Sequence, residues 1–158
     1  MLIVSMSEIT MKKATCFCGN CSVSIENDPM LHVLCYCSNC RKNFNAVFSG
    51  FAFADTEVSF DGELKTFTYE GGSGESVHIN MCNKCGTKLS LKPELFSPMI
   101  YVTAPLVAEH FEFKPKAEIF TYNKPDWFTS PGTVEQSYET NGTRERLEML
   151  LENLDQRA

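Results

Sequence analysis

Cys35-Tyr36-Cys37-Ser38-Asn39-Cys40-Arg41 follows the largely apolar stretch Met30 to Leu34, and its spacing decides how the chain is read. In extended backbone, side chains at i and i+2 share a face, so Cys35 and Cys37 point the same way. A tight turn through Ser38-Asn39 then brings Cys40 round beside them. Three thiolates converge on one point. Tetrahedral zinc takes four protein ligands in a closed structural site, but three plus water or substrate in a catalytic one. Whether a fourth cysteine joins this group separates a structural centre from a reactive one.

Working outward, the chain carries eight cysteines, and the remaining five fall in two motifs. Cys16-Phe17-Cys18-Gly19-Asn20-Cys21 repeats the spacing of the central triplet, and Cys82-Asn83-Lys84-Cys85-Gly86 is a C-x-x-C-G knuckle whose two sulfurs bind one metal while Gly accepts a positive-φ turn. One reading joins Cys37/Cys40 with Cys82/Cys85 as a zinc ribbon. The interval between those pairs far exceeds the roughly 15–20 residues of such a pattern, and Cys16, Cys18 and Cys35 are left over. In the other reading the knuckle completes the first triplet. That gives five candidates for four places, and Cys21 drops out because it falls in phase with Val23 and Ile25, where a free cysteine behaves as a small hydrophobe. Cys16, Cys18, Cys82 and Cys85 then form a closed site, and Cys35, Cys37 and Cys40 an open one.

At 158 residues with a 43% hydrophobic share, the chain is one domain able to bury its own core. No apolar run approaches the roughly 20 residues of a membrane span, and Met1 to Met6 lacks the form of a signal peptide. The expectation is a cytoplasmic protein with no membrane partner, in which eight cysteines serve metal rather than disulfides. A net charge of −6 argues against nucleic acid as partner.

Residues 1–13 read as a poorly ordered leader, 14–130 as the zinc domain and 131–158 as a C-terminal extension, with Ser130-Pro131-Gly132 marking the boundary. Alternation and turn signals predict strands at Ser22–Glu26, Met30–Cys37, Val47–Phe53, Val58–Phe60, Leu64–Tyr69, Ser76–Met81, Lys88–Leu91 and Met99–Thr103, with Arg41–Asn45 as a turn or short helical piece. The middle of the chain is antiparallel β. After Pro105, loops and short strands close the core. Leu147, Leu150, Leu151 and Leu154 form the stripe of an amphipathic helix, which docks on its own domain or joins a second copy as a homo-oligomer.

The C-x-C-G at Cys16 to Gly19, the C-x-C-x-x-C-R at Cys35 to Arg41 and the C-x-x-C-G at Cys82 to Gly86, in this order, resemble the glutathione-dependent formaldehyde-activating (centromere protein V-like) family over about Thr15 to Trp127. The resemblance implies a mainly β, Mss4-like β-tent of stacked antiparallel sheets. It also implies two zinc ions, one structural at the first and third motifs and one at the middle triplet. Tyr36 stands where family members usually carry His, and Asn43-Phe44-Asn45 where a Gly/Ala-rich segment is usual.

The function this implies is a zinc-dependent carbon–sulfur lyase-type reaction on a small thiol, glutathione in family terms, and an aldehyde such as formaldehyde. Its named activity is S-(hydroxymethyl)glutathione synthesis. Cys35, Cys37 and Cys40 hold the reactive metal, and Arg41 seats the thiol's carboxylate, because its fork matches carboxylates and it adjoins the triplet. The alternative is a non-catalytic zinc module that binds a thiol compound or a protein partner, which Tyr36 and Phe44 favour. Lys42 reads as solvated. His32, His78 and His110 lack ligand spacing to any cysteine pair, and Trp127 either lines a substrate cleft or packs.

Overall fold

The computed structural model describes residues 10–141 and 148. Period-two alternation in its strands sorts the apolar residues between two layers. In β4 (Phe48–Ala54), Phe51 and Phe53 face one side while Phe48, Ala52 and Ala54 face the other. In β9 (Met99–Thr103), Ile100 and Val102 divide from Met99 and Tyr101 in the same way. The first set meets Val23 and Ile25 of β2 (Ser22–Ile25), so a small sheet stacks on a large one through an apolar layer.

The small sheet has the order β1-β2-β5, with β1 at Lys12–Thr15 and β5 at Val58–Asp61. The large one runs β11-β10-β3-β4-β9-β8-β7-β6. Its other members are β3 (Leu31–Cys35), β6 (Leu64–Glu70), β7 (Ser76–Cys82), β8 (Lys88–Pro93), β10 (Ala117–Ile119) and β11 (Gln136–Tyr138). From β3 to β6 every neighbour is antiparallel, as the sequence predicts.

Four local details differ from the sequence reading. The sheet is mixed, because β10 pairs parallel with both β3 and β11. The strand expected to run to Cys37 ends at Cys35, and helix α1 (Ser38–Phe44) starts three residues earlier than read, since the Cys37 thiol accepts the Cys40 N–H and caps it. β1 takes in Lys12 and Lys13 of the supposed leader, paired with Ile25 and Ser24. β11 adds to the sheet beyond Gly132. The helix expected around Leu147 to Leu154 falls on residues that, apart from 148, lie outside the described ones, as do residues 1–9. Among the described residues no helix is long and apolar enough to cross a membrane.

Gly50 has a specific packing role. A Cβ there would stand 2.4 Å from the Phe48 ring, so glycine is what lets that ring fold back along β4 toward the site described next.

Candidate metal centres and the cleft beside them

The first and third cysteine motifs meet. The sulfurs of Cys16, Cys18, Cys82 and Cys85 all lie within 4.8 Å of one another. Two pairs measure 3.7 Å (Cys16–Cys18) and 3.8 Å (Cys18–Cys82). Four sulfurs about 2.3 Å from a tetrahedral zinc would be roughly 3.8 Å apart, so the set fits a metal ion as it stands. Each half is a knuckle shaped by backbone N–H groups. The Cys21 N–H reaches Cys16 Sγ at 3.2 Å, Gly86 N–H donates to the Cys82 carbonyl at 2.9 Å, and Gly86 takes φ +76°. The Thr87 hydroxyl, 3.1 Å from Cys85 Sγ, together with the Thr87 N–H, draws the Cys85 thiol down to about 5. Cys21 stands outside the four. Its buried thiol donates to the Glu63 carbonyl at 3.2 Å, and burial first of all pushes it up to about 11.

Cys35, Cys37 and Cys40 form a second group within 4.8 Å, with no further His, Cys, Asp or Glu joining it among the described residues. Cys35 ends β3, Cys37 caps α1, and Cys40 lies in its first turn. The thiols of Cys35 and then Cys40, followed by the N–H groups of Cys40 and Asn39, hydrogen-bond to Cys37 sulfur and draw it down to about 3. Cys35 is pushed up to about 12 by Cys37 beside it, and Cys40 well above its usual value by Cys35 and Cys37. Of the three thiols, Cys37 is thus the one its neighbours favour as thiolate, and binding of a metal by all three would release protons.

The three thiols line a cleft of about 370 Å³. Phe48, Tyr69, Leu91, Phe96, Tyr101 and Ile119 supply much of its apolar wall, and the Gly71–Ser73 turn borders it. Burial, and then negative charge at Cys40, Cys37 and Cys35, push the phenol of Tyr69 up.

A family model described as glutathione-dependent formaldehyde-activating enzyme matches residues 11–123, most of the chain and all three cysteine motifs. The chain belongs to this formaldehyde-activating family. Its mainly β architecture and cysteine clusters agree with the Mss4-like fold that membership implies. No curated protein matches the chain. Among solved structures, a crystal structure of a Rhodobacter sphaeroides protein is similar at 15% identity and a TM-score of 0.46, over 80% of this chain and 98% of that one.

Other residues singled out in this family member fall elsewhere. Arg41 does not line the cleft. Its guanidinium donates to the Asn123 carbonyl at 3.0 Å and to Asn123 Oδ1 at 3.2 Å, and it borders a separate shallow pocket with Ser38, Lys42 and Ala46. Asn123 in turn donates to the Tyr36 carbonyl at 3.0 Å, so Arg41 and Asn123 together brace the cysteine loop. Tyr36 is fully buried away from the cleft, and Phe44 packs on Phe48 at 4.8 Å between ring centres. Trp127 does neither of the things expected of it. It is 72% exposed and lies outside the cleft. His32 contacts Ser49, His78 contacts Thr68 and Glu94, and His110 contacts the Lys13 carbonyl; none joins a thiol group.

Sequence reasoning missed Tyr69, Asn123 and Glu118. Tyr69 reads as an ordinary strand aromatic, and only the long-range pairing of β6 at the far end of the sheet makes it a cleft residue.

Proposed function

We propose that this protein is a zinc-dependent carbon–sulfur lyase-type enzyme, joining a small thiol to an aldehyde and releasing the two in reverse. What carries this reading is the contrast between the two centres. Four thiols are gathered into one set that can supply all four ligands of a metal, while three line an accessible cleft with room for a ligand. Family membership supplies the reaction class, with glutathione and formaldehyde as its named reactants.

Cys16, Cys18, Cys82 and Cys85 would hold a structural zinc, and Cys35, Cys37 and Cys40 a second. Held by three thiolates, that second ion has a net negative charge, so what it supplies when bound is a place for a substrate sulfur to stay as thiolate rather than strong Lewis acidity. The cleft walls hold the thiol and aldehyde together and exclude water. The thiol sulfur attacks the carbonyl carbon. As the carbon–sulfur bond forms, the C=O π bond opens, and the oxygen ends with the proton the thiol gave up, so nothing is oxidised or reduced. Tyr69, which keeps its proton, donates a hydrogen bond to that developing oxyanion. Arg41 and Asn123 act at one remove by fixing the Tyr36–Arg41 loop. We place the reaction in the cytoplasm, where small thiols are reduced.

The non-catalytic alternative draws no support from Tyr36 or Phe44, since neither ring blocks the cleft. The deciding experiment is Cys40→Ser. It should lower zinc from two ions per chain to one, keep the circular dichroism spectrum, and abolish thiol-dependent aldehyde consumption. A folded variant that keeps both zincs would show that the three-cysteine group does not hold the second ion. Full activity with one zinc would separate the reaction from this site.

A further inference from the structure

Helix α1 divides its side chains between two cavities. Cys37, which caps it, and Cys40 line the cleft, while Arg41 and Lys42, at i+3 and i+4 from Ser38, share another face and line the shallow pocket of about 440 Å³. Ser38 borders both spaces, so the pocket and the cleft meet at this residue.

The pocket is furnished for an anion. Ser38, Arg41, Lys42, Ala46 and Asn123 line it, which brings two cations, two neutral polar side chains and a methyl group together. Both hydrogen bonds that hold Arg41 to Asn123 run through Nη1, and Nε and Nη2 have no partner among the described residues. Lys42 is exposed, and its ammonium likewise has no partner among the described residues. Asn123 steadies both sides of the pocket, since it accepts from Arg41 and its Nδ2 lies 3.5 Å from the Ser38 hydroxyl. The cationic edge is therefore positioned in advance of a ligand.

The step from cleft to pocket is short. Residues three and four apart on a helix have Cβ atoms roughly 5–6 Å apart, so the two cations stand about one turn from Ser38. A three-residue peptide spans at most about 10 Å, and glutathione carries a carboxylate at each end with its thiol on the residue between. One such molecule can place its sulfur at Cys35, Cys37 and Cys40 and reach across Ser38 to the basic pair.

Resting on the thiol-binding role proposed above, we infer that this pocket is a carboxylate subsite of the same site, selecting thiols that carry a carboxylate one residue away from the sulfur. Lys42 and the free edge of Arg41 pair with the carboxylate, and the Ser38 hydroxyl adds a donor at the crossing. Arg41 then serves twice, bracing the cysteine loop through Nη1 and meeting the ligand through its other nitrogens.

Calorimetric titration of the zinc-loaded full-length chain with glutathione and with its diethyl ester, which keeps the thiol and loses both carboxylate charges, tests this. Glutathione should bind roughly tenfold more tightly than the ester. Lys42→Met should lower glutathione affinity roughly threefold to tenfold, the pocket being open to solvent, and leave that of the ester within about twofold. Zinc content and the circular dichroism spectrum should stay as they are in this variant. Equal binding of the two forms, an unchanged glutathione affinity in Lys42→Met, or the same loss for both forms would overturn the carboxylate subsite and leave the thiol site standing. Silence from both forms with the unaltered protein would overturn the thiol role and this inference with it.

Discussion

The Tyr36 phenol donates to Glu118 Oε2 at 2.7 Å, joining the residue between two site cysteines to the middle of β10 on the side turned away from the cleft. Glu118 is 3% exposed, and its carboxylate also accepts from Ser130 at 2.7 Å and Ser137 at 2.8 Å, with Lys124 Nζ 3.9 Å away. Burial raises its pKa, but the three hydroxyl donors and Lys124 outweigh it and hold the carboxyl below its usual range. The charge is thus kept in the interior by donors from three separate segments.

Tyr36→Phe removes one of those donors and leaves a buried carboxylate short of a partner. Stability should fall by about 1–3 kcal/mol, read from the denaturant midpoint. Because the ring faces away from the cleft, zinc content and thiol affinity should hold. Loss of a metal ion would mean that the phenol shapes the cysteine loop after all.

The two outer cysteines of the first motif, Cys16 and Cys21, should behave oppositely. Cys21→Val keeps an apolar side chain in an apolar cluster and loses the thiol's hydrogen bonds with the Glu63 carbonyl and the Asn20 amide, so it should cost about 1 kcal/mol and no metal. Cys16→Ser breaks the four-thiol set and should largely unfold the chain, since structural zinc contributes much of the folding free energy of such sites. Metal analysis with circular dichroism on both variants checks the pair, and a metal-deficient Cys21→Val would reverse the assignment.

Tyr69→Phe deletes the hydroxyl beside the three sulfurs while keeping the ring in the wall. Thiol affinity should stay within about twofold of the original, because the ring contact is preserved. The rate of thiol addition should drop roughly 100-fold, the usual cost of one oxyanion donor. An unchanged rate would take Tyr69 out of the chemistry.

Acid should weaken the fold through His32. Its ring lies between Phe51 and Phe113, with Nδ1 accepting the Lys114 N–H at 3.2 Å and Nε2 paired with Ser49 at 2.8 Å. Burial draws it down from 6.5 to about 4. The unfolded chain protonates first, so stability present above pH 6.5 is lost as pH falls toward 4. Between pH 7 and pH 5 the loss should be about 2 kcal/mol. Denaturant midpoints across that range, with zinc in excess, should flatten in His32→Gln relative to the unaltered chain. Parallel curves would show that His32 takes no part.

What could be read from sequence was whatever is encoded locally. Alternation such as Ser22-Val23-Ser24-Ile25, bounded by Asn27-Asp28-Pro29, gives a strand its place and its buried face without reference to the rest of the chain. The three cysteine motifs carried the two groups for the same reason, because each knuckle is built by its own turn. The helix start at Ser38 was hidden because its cap is a thiol, Cys37, in a place where a hydroxyl or carboxylate is the usual sign. β10 was hidden because Ala117-Glu118-Ile119 puts a carboxylate in the middle of a three-residue strand, and what makes that tolerable is Tyr36, Ser130 and Ser137, none of them adjacent. Arg41 looked like a cleft residue because it adjoins Cys40 in sequence, but the helix turns it toward Asn123.

Tyr69 comes from the terminal strand of the large sheet and Ile119 from the second strand at its opposite end, yet both border one cleft. The sheet must curl to bring them together. A molecule filling the space would therefore fasten two margins of the hydrogen-bonded network that backbone pairing alone leaves apart. Amide hydrogens of β6 and β10 should then slow their exchange with solvent together and by similar factors when the cleft is occupied, although no strand pairing joins them directly.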